Sequence, residues 1–114
     1  MSAKLSVRKV GDVCVLDMAG RLTLGEGSST IRDSVRDLVT QGNKKLILNL
    51  GEVTYIDSSG IGELVCAYTT VANQGGQLKL LNLTKRVQDL LQITKLFTVF
   101  DVFEHEEYAI LSFA

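Results

Sequence analysis

The residues of this chain best suited to chemistry are the acid, serines and glycines of one short run. That run is Asp57-Ser58-Ser59-Gly60-Ile61-Gly62, and it follows an apolar stretch ending at Ile56. Asp57 and Ser58 are both good helix N-caps, because their side chains accept hydrogen bonds from the free amides of a first turn. Beyond the run, apolar residues continue at helical spacing, namely Ile61, Leu64, Val65, Tyr68 and Ala72. The sequence therefore predicts a tight strand-to-helix corner with one or both serines at the positive end of a helix.

Such a corner suits a negatively charged group. A helix N-terminus favours negative charge, and its free amides can hold phosphate oxygens. Gly60 and Gly62 have no side chains to obstruct an approaching partner. A serine here could accept a phosphoryl group or lie against another protein. The corner alone favours the simpler interpretation, in which Asp57 and Ser58 only cap a buried helix, and the phosphoryl-acceptor interpretation stays open beside it.

Composition limits the classes of protein to which this chain can belong. The chain has 114 residues, of which 46% are apolar and 22% charged, and this balance predicts one globular domain over residues 1–114. Its net charge of −1 gives no bulk attraction to nucleic acid or anionic lipid. The first residues lack an apolar signal core, and no apolar run reaches the roughly 20 residues that span a bilayer. We therefore expect a cytoplasmic protein that neither inserts into membranes nor binds nucleic acid directly.

The cysteines and the single histidine argue against a metal or cofactor site. Cys14 and Cys66 both lie in apolar patterns, which predicts buried free thiols. There is no CxxC pair and no cluster of cysteine with histidine. His105 stands among acidic residues, and a serine hydrolase would need a base positioned at its nucleophile. We expect no enzyme activity, no metal and no cofactor.

The rest of the chain alternates between strand and helix patterns. Gly11-Asp12 suits the turn of an N-terminal hairpin. Ser28, Ser29 or Thr30 is predicted to cap the first helix, which ends at Gly42-Asn43. The next strand is nearly all apolar, which indicates an interior parallel strand covered on both faces, and its residues are Leu46-Ile47-Leu48-Asn49-Leu50.

After the serine corner and its helix, a strand followed by a helix is predicted twice more. Gly75-Gly76 stops the second helix, and a strand with Leu78, Leu80, Leu81 and Leu83 follows. Thr84 is predicted to cap a short helix, residues 97–103 to form a last strand, and residues 104–111 to form a last helix. This order predicts an α/β fold whose mixed, largely parallel sheet has four to five strands, about four covering helices and an N-terminal β-hairpin.

With the corner placed in this order, the chain resembles the STAS-domain anti-sigma-factor antagonists, which are single-domain bacterial proteins. The most specific match is the run from Asp57 to Gly62, which looks like the phosphorylation motif of that family. Weaker matches occur in the same order over essentially the whole chain, at Gly20-Arg21-Leu22, Leu46–Leu50, Gly75-Gly76 and Leu96-Phe97.

The resemblance implies a partner switch. In that family the unphosphorylated protein binds an anti-sigma factor, often also an ATP-dependent serine kinase, and so frees a sigma factor. The kinase phosphorylates the first serine after the acid, binding is lost, and a PP2C-type phosphatase reverses the modification. Carried over, Ser58 is the acceptor. Asp57 and Ser59 would shape the corner, and Gly60 and Gly62 would allow close approach.

Two positions depart from the family pattern. Members often carry an acid after the Gly-x-Leu of the early loop, where this chain has Thr23 followed by Leu24, and Lys95 replaces a commonly small residue. Thr23 indicates an altered partner surface. We predict that Thr23 and Leu24, together with Ile61 and Leu64 beside the corner, form a small partner-binding patch.

An alternative function remains compatible with the same fold. STAS domains also serve as subunits of lipid-transport or other signalling complexes without being phosphorylated. The residues alone leave Ser58 and Ser59 equivalent, and the preference for Ser58 rests on the resemblance. We expect a monomer or a weak dimer.

Overall fold

The computed structural model describes residues 4–22 and 26–113. Its elements in chain order are β1 (Lys4–Val10), β2 (Val13–Leu22), α1 (Glu26–Thr40), β3 (Lys45–Ile56), α2 (Ser58–Asn73), β4 (Gln77–Leu81), α3 (Lys85–Ile93), β5 (Val102–Phe103) and α4 (Glu106–Leu111). The strands form one sheet in the order β1-β2-β3-β4-β5. The first pair is antiparallel and the other three pairs are parallel, so the predicted mixed, largely parallel sheet is confirmed.

The hairpin and the central strand form as the sequence predicts. Val10 pairs with Val13 across a turn in which Gly11 has φ of +62°, a left-handed conformation that glycine adopts without a steric cost. Leu46, Ile47 and Leu48 of β3 are all buried, since β3 pairs with β2 on one side and β4 on the other. An interior strand covered on both faces is therefore confirmed.

Two cores flank the sheet. The larger core joins buried side chains of α1, α2 and α3 to one face, where Leu16, Leu46 and Leu48 lie. The smaller core joins Ala109 of α4 to the opposite face, where Val15 and Ile47 lie. Because neighbouring residues of a strand point to opposite faces, the apolar run of β3 supplies both cores.

Helices α1, α2 and α3 end in the same way. In α1 the amide of Gly42 donates to the carbonyl of Val39 at 3.0 Å, and that of Asn43 to Leu38 at 3.0 Å. The same pair of hydrogen bonds closes α2 at Gly75 and α3 at Lys95. This is the Schellman pattern, whose first residue beyond the cap is left-handed, and φ is +96°, +79° and +61° at the three positions.

Two local predictions are wrong. Helix α1 begins at Glu26, so Ser28, Ser29 and Thr30 lie inside it and do not cap it, because cap-preferring residues do not by themselves fix where a helix starts. Cys66 is exposed, whereas Cys14 is buried as expected. The buried side of α2 runs through Ala67 and Val71, which turns Cys66 and Ala72 outward.

The last strand is also shorter than predicted. Only Val102–Phe103 pairs with β4, and the preceding residues form a turn in which the amide of Val99 donates to the carbonyl of Leu96 at 3.0 Å. This turn lets Phe100 point into the larger core, where its ring meets Tyr68 edge to face at 5.4 Å between centroids. Burial of one aromatic ring therefore decides against a continuous strand here.

Candidate functional site

The predicted corner joins β3 to α2, and Asp57 is its N-cap. Asp57 has extended backbone angles (φ −119°, ψ −173°), and its Oδ1 accepts from the amides of Ser59 at 3.0 Å and Gly60 at 3.1 Å. The same oxygen accepts from the Ser59 hydroxyl at 2.6 Å. That hydroxyl, and after it the two amides, hold the pKa of the Asp57 carboxyl below its ordinary value. Of the two predicted cap residues, Asp57 is therefore the cap and Ser58 the first residue of the helix.

The two serines are not equivalent. The Ser59 side chain is half-buried and its hydroxyl is committed to Asp57. Ser58 is exposed, and its hydroxyl makes no hydrogen bond to any residue that the structure describes. Both lie in the first turn of α2, where the helix dipole favours a negative group. The geometry thus leaves Ser58 as the accessible hydroxyl of the corner.

The two glycines also differ. A methyl group at Gly60 would lie 2.7 Å from Cγ1 of Ile56 and would overlap the carbonyl oxygen of Leu22. Gly60 therefore permits close packing inside the domain, and the prediction that it keeps the surface open for a partner is wrong. At Gly62 an added methyl group would meet nothing within 4 Å, and the position is exposed.

Two of the four residues predicted to form a partner-binding patch do not lie on the surface. Ile61 is 3% exposed and Leu64 is fully buried, and both belong to the larger core. Both side chains are apolar and near the corner in the sequence, but helical periodicity turns them towards the sheet. Thr23 and Leu24, the other two residues of that prediction, lie outside the described residues.

Two arginines near the corner were not singled out from the sequence. Arg21 of β2 pairs in register with Tyr55 of β3, and its guanidinium lies 4.9 Å from the centre of the tyrosine ring. The guanidinium of Arg86, in the first turn of α3, lies 4.0 Å from the same ring. The sequence favours a solvated helix end at Lys85-Arg86, and only the packing of α3 beside β3 shows that the guanidinium of Arg86 lies over the Tyr55 ring.

A further ion pair fixes the helix that carries the serines. Arg32 of α1 donates from Nη2 to Oε1 of Glu63 at 2.7 Å and from Nε to Oε2 at 3.1 Å. This bidentate contact joins α1 to the second turn of α2. At this point the described surface beside the corner carries paired charges of opposite sign.

The remaining groups define no competing site among the described residues. His105 is exposed at the start of α4, where its ring meets Tyr108 edge to face at 5.6 Å, and α4 packs on the face of the sheet opposite α2. Across residues 4–22 and 26–113, no three His, Cys, Asp or Glu side chains are grouped so that they could hold a metal ion. No helix in this part of the chain has the length and apolar character to cross a membrane.

The fold and the capped serine corner define a class of protein. The STAS domain family matches residues 4–109, and the chain belongs to that family. Among curated proteins, the anti-sigma-B factor antagonist of Bacillus subtilis (strain 168) is 31% identical over 102 residues, covering 90% of this chain and 92% of that protein. The anti-sigma F factor antagonist of Paenibacillus polymyxa is 26% identical over 65 residues, covering 57% of this chain and 56% of that protein.

Solved structures show the same fold. An anti-sigma factor antagonist from Mycobacterium paratuberculosis superimposes with a TM-score of 0.84 at 16% identity, covering 97% of this chain and 93% of that chain. The phosphorylated form of the Bacillus cell fate determinant SpoIIAA gives a TM-score of 0.76 at 22% identity, covering 97% of this chain and 100% of that chain. The two curated relatives are anti-sigma factor antagonists, and the two solved structures share the fold of this chain.

Proposed function

We propose that this protein is a phosphorylation-switched binding protein that acts on an anti-sigma factor. In the unphosphorylated state it binds an anti-sigma factor with serine kinase activity, and the sigma factor is released. Phosphorylation of Ser58 ends binding, and a PP2C-type phosphatase restores it. The observation that carries the proposal is the difference between the serines: Ser58 is exposed and unbonded among the described residues, while Ser59 is tied to Asp57.

The modification itself is a simple transfer. The Oγ of Ser58 attacks the γ-phosphorus of ATP, a new oxygen–phosphorus bond forms, the bond to the β-phosphate oxygen breaks, and ADP leaves as the hydroxyl loses its proton. The kinase supplies the catalytic groups for this step, and the present chain supplies only the hydroxyl. Its role is therefore binding, not catalysis.

The position of Ser58 favours a switch that leaves the fold unchanged. A phosphate adds about −1.5 to −2 charges at neutral pH. At the first residue of α2 this charge meets the positive end of the helix, so the fold tolerates it. In a packed interface the same group would have to be desolvated, and every ~1.4 kcal/mol of lost contact weakens binding about tenfold.

The test is intact-mass spectrometry of the protein purified from its own cells, with wild type, Ser58→Ala and Ser59→Ala compared and the co-purifying proteins identified. We expect wild type and Ser59→Ala to carry one phosphate and Ser58→Ala to carry none. We also expect an anti-sigma factor to be retained by Ser58→Ala and to be lost from wild type phosphorylated by its kinase.

Two results would contradict the proposal. A phosphate that persists in Ser58→Ala would place the acceptor elsewhere. No phosphate under any growth condition, together with lipid-transport or other signalling subunits in the purified complex, would assign the protein to the non-phosphorylated scaffold role.

A further inference from the structure

A second surface lies beside the serine corner. It is an open groove of about 480 Å³ between the end of β3 and helix α3, lined by Ile56, Lys85, Arg86, Asp89, Leu90 and Ile93. Ile56 is the last residue of β3 and directly precedes Asp57. The groove therefore adjoins the start of α2.

The floor and one wall of the groove are aliphatic. Ile56 is buried, Leu90 is half-buried, and Ile93 at the end of α3 is 77% exposed, the largest exposed fraction among the large apolar side chains described. A single exposed isoleucine is ordinary on a protein surface. Here it continues an aliphatic strip that runs into the groove, and such a strip favours an apolar partner.

Among the described residues, the rim of the groove carries one positive charge without a carboxylate partner. Lys85 and Asp89 neutralise each other through an ion pair at 3.4 Å. Arg86 has no carboxylate partner among the described residues, and its guanidinium rests 4.0 Å from the centre of the Tyr55 ring. The ring restricts the Arg86 side chain. Little further entropy of that side chain is therefore lost when a carboxylate binds the guanidinium.

We propose that this groove binds a segment of a partner protein that presents aliphatic side chains next to a carboxylate. The aliphatic side chains cover Ile93 and Leu90, and the carboxylate meets Arg86. A groove with one helical wall and a wide mouth suits a peptide segment better than an enclosed small molecule. Binding in this groove does not depend on whether Ser58 is phosphorylated. The proposal for the groove can therefore be tested independently of the proposed switch.

The test uses a library of random nonapeptides displayed on phage and selected on immobilised full-length protein. Peptides selected on wild type should combine Leu, Ile or Val with Asp or Glu, and their recovery on Ile93→Asp should fall by about tenfold or more. Arg86→Glu should reverse the charge preference, so that selected peptides carry Lys or Arg in place of the acids. Arg86→Glu places an acid in the first turn of α3, where the fold favours it.

Two variants serve as controls. Leu111→Asp changes another exposed aliphatic residue, 67% exposed on α4 and remote from the groove, and should leave recovery unchanged. Ser58→Ala should also recover the same peptides, which separates this test from that of the switch. The proposal would be overturned if the peptides were recovered equally well on wild type and on Ile93→Asp. It would also be overturned if the peptides selected on wild type lacked acids and those selected on Arg86→Glu showed no reversal of charge.

Discussion

Gly60 of α2 packs so closely against Leu22 of β2 that no side chain fits between the helix and the strand end. An added methyl group would overlap the Leu22 carbonyl oxygen and would lie 2.7 Å from Cγ1 of Ile56. The first turn of α2 is held at this position from a second direction, since the Asp57 amide donates to the same carbonyl at 3.3 Å. The strand end and the capped turn thus form one rigid corner that presents Ser58.

Gly60→Ala should therefore destabilise the protein. Overpacking of this kind costs about 1–3 kcal/mol in the free energy of unfolding. Gly62→Ala is the matched control, because an added methyl group there meets nothing within 4 Å, and alanine is about 0.8–1.0 kcal/mol more favourable than glycine inside a helix. Urea unfolding of both variants measures the difference, and equal stability of the two would disprove the role given to Gly60.

The cap at Asp57 should make stability depend on pH in the acid range. The folded-state pKa of Asp57 lies below the ordinary 3.8, so its stabilising contribution is complete above that value and is lost as pH falls through the folded pKa. Asp57→Ala should cost about 0.5–2 kcal/mol at neutral pH. Asp57→Asn keeps an acceptor for the amides and should flatten the loss of stability below about pH 4.

Denaturant unfolding at a series of pH values measures this effect. Asp37→Asn is a suitable control, because Asp37 is an exposed carboxylate on α1 whose side chain makes no hydrogen bond to the described residues. If Asp57→Asn showed the same acid dependence as wild type, the cap would not be the titrating group.

Arg8 should hold α4 on the sheet. Its guanidinium bridges Asp17 of β2 and Glu106 of α4, with Nη1 to Oε2 of Glu106 at 3.0 Å and Nε to Oδ2 of Asp17 at 2.6 Å. The pKa of each carboxyl is lowered, chiefly by its hydrogen bond to Arg8. Because exposed ion pairs contribute about 0.2–1 kcal/mol each, Arg8→Met should cost about 1 kcal/mol, and less at high salt.

Hydrogen exchange should locate this effect in α4. Its amides should exchange faster in Arg8→Met, while those of α2 remain protected. Arg36→Met removes the exposed pair with Asp33 at 3.0 Å within α1 and should cost less than about 0.5 kcal/mol. Unchanged exchange in α4 would show that the smaller core alone holds that helix.

Lys79 should contribute through its aliphatic stem more than through its charge. It is 6% exposed, and its ammonium group lies 4.7 Å from the centre of the Phe113 ring and 3.6 Å from Oδ2 of Asp101, whose side chain is 72% exposed. Lys79→Met keeps the stem and leaves Asp101 solvated, so it should change stability by less than about 1 kcal/mol. Lys79→Ala removes three buried methylenes, worth about 2 kcal/mol.

Thermal or urea unfolding of the two Lys79 variants separates these contributions. Lys85→Ala, at a position with a side chain 87% exposed, should stay within about 0.5 kcal/mol of wild type. A loss of stability in Lys79→Met as large as that in Lys79→Ala would assign the stabilisation to the ammonium group.

Lys95 occupies a backbone conformation that glycine adopts more easily. Its φ is +61° in the closing motif of α3, where α1 and α2 have Gly42 and Gly75. Lys95→Gly should therefore raise the free energy of unfolding by about 1 kcal/mol. In the reverse change, Gly42→Ala, the added methyl group meets nothing within 4 Å. The free energy of unfolding should nevertheless fall by about as much, from backbone strain alone. The same sign for both changes in urea unfolding would contradict this explanation.

Local hydrogen bonding explains why much of the fold follows from the sequence. The caps at Asp57 and Thr84 and the helix end at Gly42 each depend on residues within about four positions, and all three are as predicted. The order of strands and helices follows from hydrophobic periodicity, which is also local. The length of the last strand does not follow from local periodicity, because it depends on the contact of Phe100 with Tyr68, which is distant in the sequence.

By itself, the sequence determined the α/β order, the capped corner and the two serines at the start of a helix. Only the tertiary structure decided which serine is accessible and that Gly60 serves internal packing. It alone also brought Arg8 to Glu106 across 98 positions and Arg86 to Tyr55. The physical reason is that exposure and long-range contacts depend on how the helices rotate and pack on the sheet, and residue spacing specifies only each helix's own apolar side.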